Sequence, residues 1–328
     1  MPTYNRDPFL PEAFESLRSQ ICTDWELIVV DDGSTDGTRT TIERLRHTIR
    51  QPVKYIHQEN RGAYGARNTG LDHATSDLVA FYDSDDLWLP HHLSRCLDAF
   101  QRHPQLDWVF GACQRVEYAT GRLLTPSSFF IDDTPRPFLS LRKQTSEGLH
   151  IIEDPETIAC QLVHGLYAGL QNSVIRRTVF AHRRFVEKFR VSEDEFFLIR
   201  ALADGARIAY YMEPHFIYRV HGDNSSASAD GQSQEKRLAI FRELVDGFEQ
   251  LSQEIAFTKR QRHALRRRLS QEYFWHLGYN GLWQAGRRRD ALAAFRRGIS
   301  LRPWHLPMWK TYLLAIVRLY GGELRSAH

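Results

Sequence analysis

Short apolar segments alternate with helical patterns through the first part of this chain. Three segments are rich in Val, Ile and aromatic residues and are typical of short buried strands: 26–31, 53–58 and 78–83. Four helical patterns surround them: 11–20, 37–50, 62–75 and 90–103. Because parallel strands are joined by crossover helices, this order predicts an α/β fold with a mostly parallel sheet flanked by helices.

The rest of the chain predicts further elements and a second region. Up to residue 233 we expect the following: a strand at 108–118, a loop-rich stretch to about 156, regular structure at 157–179 and 192–203, two short strands at 207–221 broken by Pro214, and a linker at 222–233. Beyond it we expect only helices: 234–256, 258–285, 288–300 and 305–320. We therefore predict two domains, 1–230 and a helical accessory domain at 231–328.

Spacing in the helical region resembles a repeat. Trp275 and Trp309 are 34 residues apart, which is the tetratricopeptide period, and Ala291 lies at a suitable place between them. One partial repeat predicts a tetratricopeptide-like hairpin and no more.

Composition excludes several classes of protein. Hydrophobic residues make up 42% and charged residues 25% of the 328 residues, which is ordinary for a globular chain and unlike a collagen, a mucin or a disordered protein. The four cysteines are widely spaced and form no CxxC pair, which favours reduced structural thiols over disulfides or zinc ligands. No segment approaches the roughly 20 apolar residues of a membrane span, and no signal peptide is recognisable, so we expect a cytoplasmic protein.

Charge is distributed unevenly along the chain. The net charge is +3, yet residues 232–328 contain 18 Lys and Arg against 8 Asp and Glu, and the earlier residues contain 25 against 32. The basic region could lie at the inner face of an anionic membrane, bind an acidic ligand, or simply form the solvated face of helices. Residues 258–268, with six Lys and Arg, are the best candidate for membrane contact and also for an alternative function in nucleic-acid binding.

Two predicted strands end in clusters of aspartates. Asp31 and Asp32 follow the first, and the sequence Asp83-Ser84-Asp85-Asp86 follows the third. In open α/β sheets ligands bind beyond the carboxyl ends of the strands, and crowded carboxylates repel one another. Either a divalent cation or hydrogen bonds to ribose hydroxyls and a base would offset this repulsion. Mg²⁺ or Mn²⁺ would bind a nucleotide diphosphate as well. The residues from Asp32 to Glu43 also match the spacing of an EF-hand calcium loop, although the preceding segment is predicted to be a strand.

Six motifs in order resemble the inverting family 2 glycosyltransferases, which have the Rossmann-like GT-A fold. The motifs are residues 2–6 (PTYNR), 31–38 (DDGSTDGT), 60–70 (NRG followed by ARNTG), 83–86 (DSDD), 192–200 (SED with Leu198 and Arg200) and 218–221 (YRVH). The resemblance implies transfer of a hexose from a nucleotide-diphosphate sugar, with a UDP-sugar favoured over GDP- and dTDP-sugars, in polysaccharide biosynthesis. It also implies a saccharide or lipid-linked acceptor, for which the loops at 119–160 carry no readable motif.

The resemblance assigns roles to individual residues. Nucleotide binding falls to Thr3, Tyr4, Asn5, Arg6, Asp31, Asp32, Arg67 and Asp83. Asp85 would bind the cation directly, and His221 would complete the metal site or contact the diphosphate. Asp194 would be the general base. Trp88 would line the pocket or belong to the core.

The acidic run Glu193-Asp194-Glu195 fits the chemistry of such a base. The acceptor hydroxyl must lose its proton as it attacks the anomeric carbon, which requires a carboxylate within hydrogen-bond reach. The run lies at a predicted helix start capped by Ser192, and adjacent helical positions face about 100° apart, so only one carboxylate can point at the acceptor. A non-catalytic nucleotide-sugar-binding scaffold is the alternative function.

The opening turn at residues 2–6 departs from the family pattern, because only Met1 precedes it. In the family a buried apolar strand comes first and is flanked by neighbours on both sides. We expect the natural protein to begin upstream with such a strand, or else this form to fold with a gapped sheet and a weakened nucleotide site.

Overall fold

The structure is a computed structural model that describes residues 1–222 and 233–320. Its strands are β1 Pro2–Thr3, β2 Leu27–Asp31, β3 Val53–His57, β4 Leu78–Ala80, β5 Leu87–Trp88, β6 Trp108–Glu117, β7 Leu123–Thr125, β8 Phe130–Ile131, β9 Thr134–Pro135, β10 Lys143–Ser146, β11 Leu149–Ile152, β12 Ser173–Arg176 and β13 Ile208–Val220. Its helices are α1 Leu10–Arg18, α2 Thr38–Leu45, α3 Gly62–His73, α4 His92–Arg102, α5 Thr157–His164, α6 Glu193–Ala203, α7 Gln234–Glu254, α8 Lys259–Gln271, α9 Arg288–Leu301 and α10 Leu306–Tyr320. The predicted linker falls almost wholly outside the described residues.

The described chain forms two compact units. The first contains residues 1–157 and 164–222, and the second contains 158–163 and 233–320. Most of helix α5 therefore groups with the C-terminal helices. The domain boundary predicted near residue 230 lies outside the described residues and remains a prediction.

Strand pairing in the first unit is divided between two sheets. Strands β1, β2 and β3 form a parallel sheet in that order. A larger mixed sheet follows the order β10-β11-β13-β6-β12-β4, in which β6 and β13 are parallel and β12 is antiparallel to both its neighbours. The α/β fold is confirmed, and strands β7 to β11 lie within 119–156, where the sequence predicts a loop-rich stretch.

A gap separates the two sheets. Within the described residues β1 pairs only with β2, where Met1 accepts a hydrogen bond from the amide of Val30, and β4 pairs only with β12. A cleft of about 740 Å³ lies there, lined among others by Met1, Ile28 and Val79. The gap therefore lies between β1, at the end of one sheet, and β4, at the end of the other.

In the core of the first unit, the apolar face of helix α1 packs against the sheet. In α1 the buried side chains Leu10, Ala13, Phe14 and Leu17 fall at i, i+3, i+4 and i+7, so one face of the helix is apolar. They pack with buried residues of β2, including Val29 at 0% exposure. Trp88 belongs to this core, at 6% exposure, and donates its indole N–H to the carbonyl of Gln171.

Strand β13 differs from its prediction. It runs unbroken for 13 residues through Pro214, where two short strands were expected. Pro214 lacks the N–H of a ladder bond, and the pairing with β6 shifts register on both sides of it. The predicted break was wrong because a β-bulge accommodates the proline inside one strand.

The second unit is helical throughout its described residues. Helix α8 continues into a π-helix at Glu272–Trp283, so the predicted helix at 258–285 contains a change of helical type. The rings of Phe274 and Phe295 lie 4.5 Å apart, and a Cβ on Gly298 would come within 2.8 Å of Phe274. Among the described residues, no helix has both the length and the apolar character needed to cross a membrane. The tetratricopeptide-like hairpin remains a prediction.

Candidate functional site

The carboxylates after strand β2 hold the surrounding loops in place. Asp31 is fully buried and accepts hydrogen bonds from the amide of Ser34 at 2.9 Å and the hydroxyl of Tyr55 at 2.6 Å. Asp32 accepts from the amides of Arg61, at 2.9 Å, and Gly62, at 2.7 Å. Both carboxylates thus shape the walls of the site. Because a strand precedes this loop, the EF-hand interpretation is wrong.

The opening turn packs against the same loop. Asn5 adopts a left-handed φ of 52°, and its side-chain oxygen accepts from the amide of Thr35 at 2.8 Å. Thr3 is 3% exposed, and its hydroxyl has no hydrogen-bond partner among the described residues. Tyr4 is 46% exposed. A buried hydroxyl next to an exposed aromatic ring suits the binding of a nucleoside.

The DSDD segment lies at the centre of a charge cluster. Asp83 accepts from Arg67 at 2.6 Å, and Oδ2 of Asp85 lies 3.3 Å from both Nε of Arg6 and Nε2 of His221. The segments 2–6, 83–86 and 218–221, far apart in sequence, therefore meet at Asp85.

The pKa values of two neighbouring carboxyl groups in this cluster are shifted in opposite directions. Burial by itself would raise the pKa of Asp85, but the hydrogen bond from His221 and the charge of Arg6 lower it. Burial, together with the charges of Asp85 and Asp83, raises the pKa of Asp86 well above its usual value. Asp86 accepts from the amide of Arg219 at 2.9 Å, which makes it a structural residue. A cation at Asp85 would relieve the repulsion, and carboxylate oxygens suit Mg²⁺ or Mn²⁺.

The acidic residues at the start of α6 lie in two different environments, one fully buried and one half-buried. Glu193 is fully buried and pairs with Arg200 at 2.9 Å. Burial raises the pKa of Glu193 to about 7. Asp194 is half-buried, and its Oδ1 lies 3.3 Å from the hydroxyl of Tyr64. Ser192 is the N-cap residue, with φ of 60°, but its side chain makes no capping hydrogen bond, so the predicted side-chain cap is wrong.

A continuous line of contacts joins the DSDD segment to Asp194. Asp83 pairs with Arg67, whose guanidinium carbon lies 5.1 Å from the centre of the Tyr64 ring. Tyr64 in turn contacts Asp194. The fold therefore brings Asp83 and Arg67, which are predicted to bind the donor, to the same place as Asp194, the predicted base. Asp31, by contrast, is fully buried.

Sequence reasoning missed three residues that shape this site. Tyr64 is the most important, and its place within the glycine-rich element on α3 was the available signal. Glu187 accepts from Arg61 at 2.6 Å and from Asn68 at 3.1 Å, which ties α3 to the segment before α6. Glu12 of α1 pairs with Arg219. Nothing local to Glu187 or Glu12 in sequence identifies these partners.

Comparison with known proteins agrees with the motifs. The family described as glycosyl transferase family 2 matches residues 1–161. An uncharacterized glycosyltransferase of Nostoc sp. is 30% identical over 242 residues, covering 72% of this chain and 69% of that protein. The chain belongs to glycosyltransferase family 2.

Another relative has a specific activity in its name. The GalNAc(5)-diNAcBac-PP-undecaprenol beta-1,3-glucosyltransferase of Campylobacter jejuni is 28% identical over 195 residues, covering 59% of this chain and 55% of that protein. The present chain is thus similar to an enzyme that acts on a lipid-linked sugar.

Solved structures share the fold of this family 2 enzyme. S. aureus TarS in complex with UDP-GlcNAc aligns with a TM-score of 0.64 and 21% identity, covering 92% of this chain and 79% of that one. A mannosyltransferase from Pyrobaculum calidifontis, in complex with GDP-Man and Mn²⁺, aligns with a TM-score of 0.56 and 19% identity, covering 98% of this chain and 86% of that one. At these identities the likeness establishes the GT-A fold alone.

Proposed function

We propose that this family 2 enzyme transfers a sugar from a UDP-sugar to a hydroxyl of a lipid-linked saccharide, with inversion at the anomeric carbon. The observation that carries the proposal is the line of contacts from Asp83 through Arg67 and Tyr64 to Asp194. It joins a donor site and a base, which a transferase needs together and a non-catalytic scaffold does not. The catalytic domain on this proposal is residues 1–230, and residues 231–328 are accessory.

Donor binding is supported by polar atoms that lack partners in the described structure. The Thr3 hydroxyl and Nε of Arg67 are both buried, and neither has a hydrogen-bond partner among the described residues. Leaving such groups unsatisfied costs about 1–3 kcal/mol each. Ribose hydroxyls and diphosphate oxygens would satisfy both. Tyr4 follows Thr3 in sequence, and its exposed ring can stack on the base.

Asp85 and His221 are the residues that would hold Mn²⁺ or Mg²⁺. Their ligand atoms are already 3.3 Å apart, so little rearrangement is needed. When bound, the cation would neutralise charge on the departing diphosphate as a Lewis acid. Arg6, at 3.3 Å from Asp85, keeps a fixed positive charge at the same place.

Asp194 would take the proton of the acceptor hydroxyl. Glu193 cannot, because it is fully buried and paired with Arg200. The Tyr64 hydroxyl holds Oδ1 of Asp194 in position. A single displacement from the face opposite the diphosphate inverts the anomeric configuration, and no protein nucleophile is required.

A lipid-linked acceptor implies contact with a membrane surface, and helix α10 is suited to it. Its exposed apolar side chains, together with one from the preceding turn, are Trp304, Leu306, Trp309, Leu313, Leu314 and Val317. Lys310 and Arg318 are exposed on the same helix, and Trp and Leu beside basic residues are typical of interfacial helices. The basic segment at 258–268 would add electrostatic attraction. Peripheral attachment through α10 is therefore part of the proposal.

The donor can be identified by ligand-induced thermal stabilisation. UDP, GDP, dTDP and their sugars should be compared with and without Mn²⁺, because binding to the folded state raises its stability. We expect the largest shift with a UDP-sugar and Mn²⁺. A larger thermal shift with GDP or dTDP ligands would assign the donor to that nucleotide instead of UDP. No shift with any nucleotide would refute donor binding altogether.

A further inference from the structure

Three side chains of the kind that bind transition metals converge inside the first unit, and none of them belongs to the DSDD segment. Nδ1 of His92 lies 3.1 Å from Nδ1 of His215, and Sγ of Cys96 lies 3.8 Å from the same nitrogen. All three ligand atoms lie within 4.8 Å of one another. Each of the three residues is 0% exposed.

Two structural elements hold this cluster. His92 and Cys96 are one turn apart on α4, so they share a face of the helix. His215 follows the bulge at Pro214 in β13. The ring of His215 fits only because residue 111 is glycine, since a Cβ there would lie 2.2 Å from Cγ of His215. The backbone thus provides a dedicated space for this imidazole.

Hydrogen bonding within the protein leaves the cluster incompletely satisfied. Nε2 of His92 and Nε2 of His215 are buried without a partner among the described residues. Glycosyl transfer gives none of the three residues a role. These two nitrogens are not the atoms that converge, which are Nδ1 of each histidine and Sγ of Cys96. Apolar residues would fill the same space without burying any polar atom.

We propose that His92, Cys96 and His215 bind a divalent transition metal of the zinc class, which fastens helix α4 to strand β13. Zinc–nitrogen bonds of about 2.0–2.1 Å and zinc–sulfur bonds of about 2.3 Å give tetrahedral edges of roughly 3.4 and 3.6 Å. The observed separations of 3.1 and 3.8 Å lie close to those edges. The third pair, Nδ1 of His92 and Sγ of Cys96, lies within 4.8 Å, so one cation fits between the three ligand atoms once this edge is about 3.6 Å.

Ligand chemistry separates this site from the DSDD segment. Imidazole and thiolate select zinc-class ions, whereas carboxylate oxygens select Mg²⁺ or Mn²⁺. Binding releases one proton, that of the Cys96 thiol. His91 and Glu213 also bring ligand atoms within 4.8 Å of His215, and the Glu213 carboxylate pairs with Arg95.

Cobalt substitution tests the proposal on the full chain. The purified protein is stripped with a chelator and titrated with Co²⁺, first alone and then with excess Mg²⁺ to occupy oxygen-ligand sites. We expect about one equivalent of Co²⁺ to give a thiolate-to-cobalt charge-transfer band and tetrahedral d–d bands, both removed by one equivalent of Zn²⁺. Cys96→Ser should abolish the charge-transfer band and weaken Zn²⁺ binding by at least roughly tenfold.

A matched cysteine variant distinguishes this site from adventitious binding. Cys113→Ser, in the neighbouring strand β6, should keep the band and the affinity. His92→Gln supplies a second ligand variant, and near-ultraviolet circular dichroism of each metal-free variant checks its fold. A wild-type protein without the charge-transfer band, or a band that survives in Cys96→Ser, would overturn the proposal and leave a hydrogen-bonded pair of neutral histidines.

Discussion

The hydroxyl of Tyr64 in helix α3 lies 3.3 Å from Oδ1 of Asp194 at the start of helix α6, although 130 residues separate them in sequence. Burial raises the pKa of Tyr64 well above its usual value, so its hydroxyl keeps the proton that it donates. Because α3 also carries Arg67, which pairs with Asp83, one helix orients both the proposed donor-binding carboxylate and the proposed base.

Asp194→Asn should abolish most sugar transfer while leaving donor binding intact. An amide cannot accept the proton of the acceptor, and general base catalysis contributes roughly 10²–10⁴-fold to rate. The measurement is kcat for transfer beside calorimetric Kd for UDP with Mn²⁺. Glu195→Gln, one residue along the same helix turn, is the control and should retain kcat. Near-normal turnover by Asp194→Asn would remove it from the role of base.

Tyr64→Phe should lower kcat by about 10-fold or more, less than the loss in Asp194→Asn. A hydrogen bond to a charged group contributes about 1.5–3 kcal/mol, and here it holds the base in position. Because Tyr64 is a positioning residue, the Kd for UDP should stay unchanged while kcat falls. A matched loss in both quantities would mean that the ring acts by supporting Arg67 in the donor site.

Asp85→Ala should abolish the dependence of UDP affinity on Mn²⁺. The side chain is the proposed direct ligand, and its loss removes the carboxylate that lies 3.3 Å from Nε2 of His221. Calorimetry with UDP, with and without Mn²⁺, measures the effect. Asp98→Ala removes an aspartate that pairs with Arg102 in α4, and it should leave the metal effect unchanged. If metal-assisted affinity persists in Asp85→Ala, the cation is held elsewhere.

Leu313→Glu combined with Leu314→Glu should greatly reduce sedimentation with anionic liposomes. Both side chains are more than half exposed on α10, and introducing charge there opposes insertion of an apolar face. Ser300→Glu adds one negative charge on the exposed face of α9 and serves as the control. Binding that depends on salt yet survives the double substitution would assign attachment to the basic segment at 258–268 alone.

Stability should depend on pH through Glu193. Its pKa is raised from 4.5 to about 7 by burial, so between these values the folded protein keeps a proton that the unfolded chain loses. This contribution to the free energy of unfolding is fully present below about pH 4.5 and is lost as pH rises through 7. Each pKa unit corresponds to about 1.4 kcal/mol.

Urea denaturation at pH 5 and pH 8 measures this effect. Glu193→Gln cannot titrate, so its stability should change less between the two pH values than that of the wild type. Arg200→Met tests the same pair from the other side at pH 8, where Glu193 is ionised, because a buried charge without its partner destabilises by roughly 3–5 kcal/mol. An identical pH slope in wild type and Glu193→Gln would show that Glu193 does not titrate in this range.

Family and fold could be predicted from the sequence because their signals are local. The strand and helix patterns, the aspartates at strand ends and each of the six motifs can be recognised within a short segment, and the order of the motifs is read directly along the chain. Register and bulges could not be predicted, since the continuity of β13 through Pro214 depends on its pairing with β6. The His92–Cys96–His215 cluster could not be predicted for a similar reason, because His215 lies 119 residues beyond Cys96 in sequence.

The sequence by itself determined the chemistry available to this protein, namely carboxylates after buried strands and an acidic run at a helix start. Only the tertiary structure decided how that chemistry is divided. Packing buries Glu193 against Arg200 and leaves Asp194 beside Tyr64, and it encloses Asp31 while Asp85 meets Arg6 and His221. The physical reason is that burial and charge pairing depend on distances between segments, and these distances arise when the core packs.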